Sequence, residues 1–80
     1  IDGRPRVGAR LVAKRGRWQG TSLRYTVTWQ RCRAGCVEIA TGAAYRARAR
    51  DRGARLRVEV FARNALGTAA ALSRRTPPVR

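Results

Sequence analysis

The sequence predicts an all-β domain, folded as a two-sheet antiparallel sandwich. Three observations predict it. Apolar and polar side chains alternate with period two through several short runs, turn residues separate those runs, and β-branched and aromatic residues gather in two of them.

The first run is Arg10–Lys14, where Leu11 and Ala13 share a face. The second, around Arg24–Cys32, sets Tyr25, Val27 and Trp29 on one face and Thr26, Thr28 and Gln30 on the other. The third alternates Tyr45, Ala47 and Ala49 with Arg46, Arg48 and Arg50. The fourth and longest alternates Leu56, Val58, Val60 and Ala62 with Arg55, Arg57, Glu59 and Phe61. Alanine and arginine favour helix between Arg46 and Arg57, but the strict alternation and Gly53 argue for strand there. Turn signals fall at Gly16 and Gly20, Arg33-Ala34-Gly35, Asp51-Arg52-Gly53 and Asn64-Ala65-Leu66-Gly67. The predicted core is Trp29, Val27, Leu56, Val58 and Val60 from one sheet, with Leu11 and Tyr45 from the other.

Eighty residues hold one domain, 1–80. The segments 1–6 and 76–80 read as links, because Pro77-Pro78 makes a stiff extended exit. A chain this short supports a two-sheet core but not a deep catalytic cleft as well. No apolar run approaches the ~18–20 residues that span a bilayer as a helix.

The formal charge is +15, and Lys14 is the only lysine among nineteen basic residues. Two origins stay open: codon bias in a GC-rich genome, which favours Arg and Ala, and a selected polyanion site. Strand parity puts Arg46, Arg48 and Arg50 on one outer face and Arg24, Arg55, Arg57 and Arg63 on the other. These seven are the candidate polyanion contacts, with bidentate guanidinium geometry suited to phosphate or sulfate. Charge spread over both faces predicts weak, salt-sensitive binding of nucleic acid, anionic polysaccharide or wall phosphate, without sequence preference. Phe61 is the one outward aromatic among these arginines, which is little for base stacking.

Cys32 and Cys36 are the only cysteines and there is no histidine, so one chain cannot complete a four-ligand zinc site. A Cys32–Cys36 disulfide across a hairpin tip, formed in an oxidising compartment, is preferred over two reduced thiols. Asp2, Glu38, Asp51 and Glu59 are scattered, and Ser22 and Ser73 have no histidine base. No phosphate loop or calcium loop is present. We therefore expect no enzyme, cofactor or metal. Asp51 is expected to brace a turn by accepting backbone N–H groups two residues on, and Gly53 to take positive φ. Trp18 is expected to cover one end of the core, with partner binding as the alternative.

One ordered set of residues carries a resemblance. It runs through Pro5, Val7, Gly8, Leu11, Ala13, Gly16, Trp18, Gly20 and Tyr25, then Trp29-Gln30-Arg31-Cys32, Cys36, Ile39, Gly42 and Tyr45. It ends in Asp51, Gly53, Leu56, Val58, Val60, Ala62, Asn64, Ala65, Gly67 and Ser73. This set resembles the immunoglobulin-like repeat of secreted and cell-surface proteins from high-GC Gram-positive bacteria (actinobacteria). The chain differs from it in the short loop between the cysteines, the arginines between Ile39 and Asp51, and the strongly basic charge. The resemblance implies an immunoglobulin-like, fibronectin-III-like sandwich of about seven strands. It also implies a secreted or cell-surface location and neighbouring repeats of the same chain as partners. The implied role is a non-catalytic spacer or adhesion module that holds a functional domain away from the cell.

Overall fold

A computed structural model describes residues 1–14, 20 and 22–80. The chain is all-β with two antiparallel sheets. Strands β1 (Arg10–Val12) and β4 (Ala44–Arg46) form the smaller sheet. Strands β2 (Arg24–Cys32), β3 (Cys36–Thr41), β5 (Arg55–Asn64) and β6 (Gly67–Leu72) form the larger one, in the order β3-β2-β5-β6. Six strands are thus present among the described residues. An isolated antiparallel bridge, Asp2 to Val12, adds the chain's opening residues to the small sheet. Gly3 permits this close approach: a Cβ there would sit 2.9 Å from the Arg10 carbonyl oxygen.

Both expected long strands form, because each presents one apolar row to the same core. The antiparallel register sets Trp29 opposite Val58 and Val27 opposite Val60. Leu11 pairs with Tyr45 in the facing sheet. Trp29, Leu11 and Leu56 are fully buried, and the Trp29 and Tyr45 rings lie 5.6 Å apart. Val27 is only half-buried and packs against the cluster from its margin. The Trp29 indole N–H is satisfied by the Gly42 carbonyl at 2.9 Å, so the largest core residue carries no unpaired donor.

The run from Tyr45 to Arg50 departs from the expected strand. β4 ends at Arg46, and Ala49–Asp51 form a short 3₁₀ helix. Ala47 remains buried and its N–H still bonds the Ala9 carbonyl, but Ala49 is exposed. The Asp51 carboxylate accepts the Arg48 N–H at 2.8 Å, which draws the chain into a turn where alternation alone predicts extension. Arg48 and Arg50 therefore lie beyond the strand, at the end of the sandwich. Gly53 then takes φ +83°, and its N–H bonds the Val79 carbonyl.

The two segments read as links are bonded into this domain. Val79 is buried in the core cluster, between the Ala54 carbonyl and the Gly53 N–H. The Thr76 hydroxyl accepts the Leu56 N–H at 3.0 Å. Arg80 donates its N–H to the Pro5 carbonyl, and its carbonyl accepts the Val7 N–H. The expectations for Gly16 and Trp18 lie outside the described residues.

Candidate functional site: the arginine faces and the Asp51 cluster

Cys32 and Cys36 form a disulfide. They are cross-strand partners at the end of the β2–β3 hairpin, where Arg33 N–H closes the loop onto the Gly35 carbonyl. Cys32 is buried, and in the β2–β5 register it pairs with outward Arg55 while Arg31 pairs with inward Leu56, so the bond clips the hairpin on the outer side of the sheet.

The candidate arginines separate into groups once partners are assigned. Arg24, Arg55, Arg57 and Arg63 project from the outer face of the larger sheet, since Leu56, Val58, Val60 and Ala62 take the inner one. Arg57 Nε donates to Gln30 Oε1 at 2.6 Å across the strand pair, and Arg55 reaches the Thr76 carbonyl at 3.5 Å. Arg46 sits on the outer side of the small sheet and donates to the Gly8 carbonyl at 2.6 Å. Arg48 and Arg50 lie with Arg46 along a groove of about 580 Å³ between the β3 edge and β4, floored by Ile39, Ala40 and Tyr45. Arg24 and Arg63 stand directly opposite each other, and among the described residues neither meets a carboxylate.

A cluster that sequence reasoning missed lies at the closed end of the sandwich. Asp51 is fully buried. Its Oδ1 accepts from Arg31 Nη1 at 3.2 Å, and its Oδ2 accepts from the Tyr45 hydroxyl at 2.5 Å and from the Arg48 backbone N–H. The expected donor two residues on is not the one used. Gly53 N–H is committed to Val79, so the carboxylate reaches back to Arg48 instead. Parity held the signal for Arg31, which is two residues from Trp29 on β2 and so shares its inward side.

Burial pushes the Tyr45 hydroxyl up to about 12, reinforced by its hydrogen bond to the Asp51 anion. Burial alone would raise Asp51. The hydrogen bonds from Tyr45, Arg48 N–H and Arg31 outweigh it and hold the carboxyl below its ordinary value. This is a structural ion pair with its acceptors occupied, and it ties β2, β4 and the 3₁₀ turn together. No buried side-chain polar atom lacks a partner, and no three potential metal-ligating side chains converge, among the described residues. No described helix is long and apolar enough to cross a membrane.

No protein-family model, curated protein or solved structure matches the chain.

Proposed function

We propose that the domain is a non-catalytic, load-bearing spacer of the immunoglobulin-like, fibronectin-III-like kind, one of several tandem repeats in a secreted or cell-surface protein. The observation that carries this reading is the way the two ends of the chain are tied. Arg80 N–H bonds the Pro5 carbonyl and Val7 N–H bonds the Arg80 carbonyl, the pattern of a parallel ladder. Tension applied at the two ends pulls parallel segments in opposite directions. The bonds are then loaded together, in shear, instead of opening one at a time like a zipper.

Three further features support the reading. The strand orders β1-β4 and β3-β2-β5-β6 put Trp29 on a central strand facing the other sheet, as in an immunoglobulin-like core. The isolated Asp2–Val12 bridge lies beside β1, where a further strand of such a sandwich would pair. The Cys32–Cys36 disulfide fits an oxidising compartment.

Single-molecule force spectroscopy tests the proposal. The domain is pulled once through residues 1 and 80, and once through residue 1 and a handle in the β5–β6 turn at Leu66. Forced unfolding reports the barrier to breaking the native state. End-to-end loading should give the higher unfolding force, and Arg80→Pro, which deletes one of the two end bonds, should lower it. Equal forces in both geometries would defeat the spacer reading.

A further inference from the structure

The opposed arginines of the larger sheet point to something the spacer reading does not use. On the outer face, Arg24 of β2 is the direct cross-strand partner of Arg63 of β5. Such partners have Cβ atoms ~4.5–5.5 Å apart, and like charges placed so destabilise a sheet. The other two described arginines of this face are held by protein acceptors, Arg57 by Gln30 and Arg55 by Thr76. The small sheet has a comparable pair, Arg10 opposite Arg46, but Arg46 is drawn off to the Gly8 carbonyl.

Among the described residues, the immediate neighbours of the Arg24–Arg63 pair are neutral and include donors. Thr68 of β6 is Arg63's partner on its other side, and Thr26 lies opposite Phe61 in the next rank. The first acid along this face is Glu59, four residues from Arg63, which is ~13 Å along a strand. Arg24, Thr26, Phe61, Arg63 and Thr68 bound a depression of about 440 Å³. Phe61 is half-buried, so part of its ring is presented there.

From this we infer an anion site on the outer face, in which Arg24 and Arg63 clamp the tetrahedral oxyanion of a phosphate or sulfate ester and Phe61 supports its carbon group. Two guanidinium forks supply paired N–H donors at the spacing an oxyanion's oxygens need, and the Thr26 and Thr68 hydroxyls add neutral donors. The bound anion turns the repulsion of the pair into attraction. The inference is independent of the mechanical proposal, because nothing in it involves the chain ends.

NMR titration tests it, following arginine Nε–H and Phe61 ring signals with phenyl phosphate, phenyl sulfate and inorganic phosphate as probes. Arg24, Arg63 and Phe61 signals should shift together and saturate first, with either ring ester binding more tightly than inorganic phosphate. Which ester binds better identifies the natural head group. Arg24→Gln and Arg63→Gln should each weaken binding about tenfold, the scale of one charge-assisted contact, and Arg46→Gln should leave it unchanged. Arg24→Glu should abolish binding while raising the melting temperature, because it converts the pair into a cross-strand ion pair. If all arginines shift with one common dissociation constant, the charge is undirected and the site does not exist. The same conclusion holds if Arg24→Glu folds and still binds the esters, or if a DNA duplex engages both outer faces more tightly than any ester engages this one.

Discussion

Replacing Asp51 by alanine removes the one acceptor shared by Arg31, Tyr45 and the Arg48 N–H. A hydrogen bond to a charged group contributes ~1.5–3 kcal/mol, and breaking a buried ion pair from one side costs ~3–5 kcal/mol. The Arg31 side chain keeps 23% of its exposure and can turn toward water, which relieves part of the loss. Tyr45, which is buried, has no such outlet. The balance is a loss of about 3–4 kcal/mol. Domains of this size are stable by only ~4–12 kcal/mol, so the loss is a quarter or more of the total. At ~4–8 °C per kcal/mol, the melting temperature should fall by ~12 °C or more. Asp51→Asn keeps the shape and one acceptor oxygen and should lose less.

Acid provides a second readout of the same cluster. The Asp51 carboxyl is held below its ordinary value, so its contribution is present above the unfolded pKa of ~3.9 and is lost as pH falls through the folded one. Urea denaturation at pH 7 and in steps down through pH 4 measures both effects. The wild type should lose stability more steeply than Asp51→Asn over the acid range. An alanine variant within ~0.5 kcal/mol of wild type at pH 7, the scale of an ordinary surface change, would refute the cluster's structural role.

Trp29→Ala, at a fully buried position that also bonds the Gly42 carbonyl, should cost ~3–5 kcal/mol and leave little folded protein by circular dichroism. Reducing the Cys32–Cys36 bond should cost ~2 kcal/mol, the chain-entropy value for so short a loop, and should leave the strands intact. Mass spectrometry of protein from its native compartment should find the bond formed. At the alkaline end, the raised Tyr45 pKa keeps its contribution intact below the unfolded value of ~10. That contribution declines as pH rises through about 12, by about 2–3 kcal/mol in all, and Tyr45→Phe should flatten the decline in urea titrations.

The two long strands were legible because their apolar rows have a strict period of two and a common destination. The β2–β5 register then followed from matching Trp29 to the valine row. Alternation failed at Arg46–Arg50, where the decisive term is a single carboxylate capturing the Arg48 N–H, a local bond that leaves no mark on the hydrophobic pattern. Val79 was illegible for a related reason: it is one apolar residue behind two prolines, and only the fold shows that the Gly53 turn leaves a place for it. Strand parity put Arg31 on the side of Trp29, yet arginine as a residue type reads as surface until the buried Asp51 partner is seen. The arginines of the outer face were found by parity. Their sorting into Arg55 and Arg57, bonded to protein acceptors, and the opposed Arg24 and Arg63 needed the register and the side-chain geometry.

Amide hydrogen exchange measures, residue by residue, whether the chain ends are part of the folded body. Val7 N–H is bonded to the Arg80 carbonyl and Val79 N–H to the Ala54 carbonyl. Amides in cooperatively folded segments open only with free energies near that of global unfolding, whereas fraying ends open at almost no cost. The tied-end account predicts that Val7 and Val79 exchange with protection of the same order as the amides of β5. Exchange of both at the rate of a free chain, with β5 still protected, would contradict it and leave the segments 1–6 and 76–80 as loose tethers.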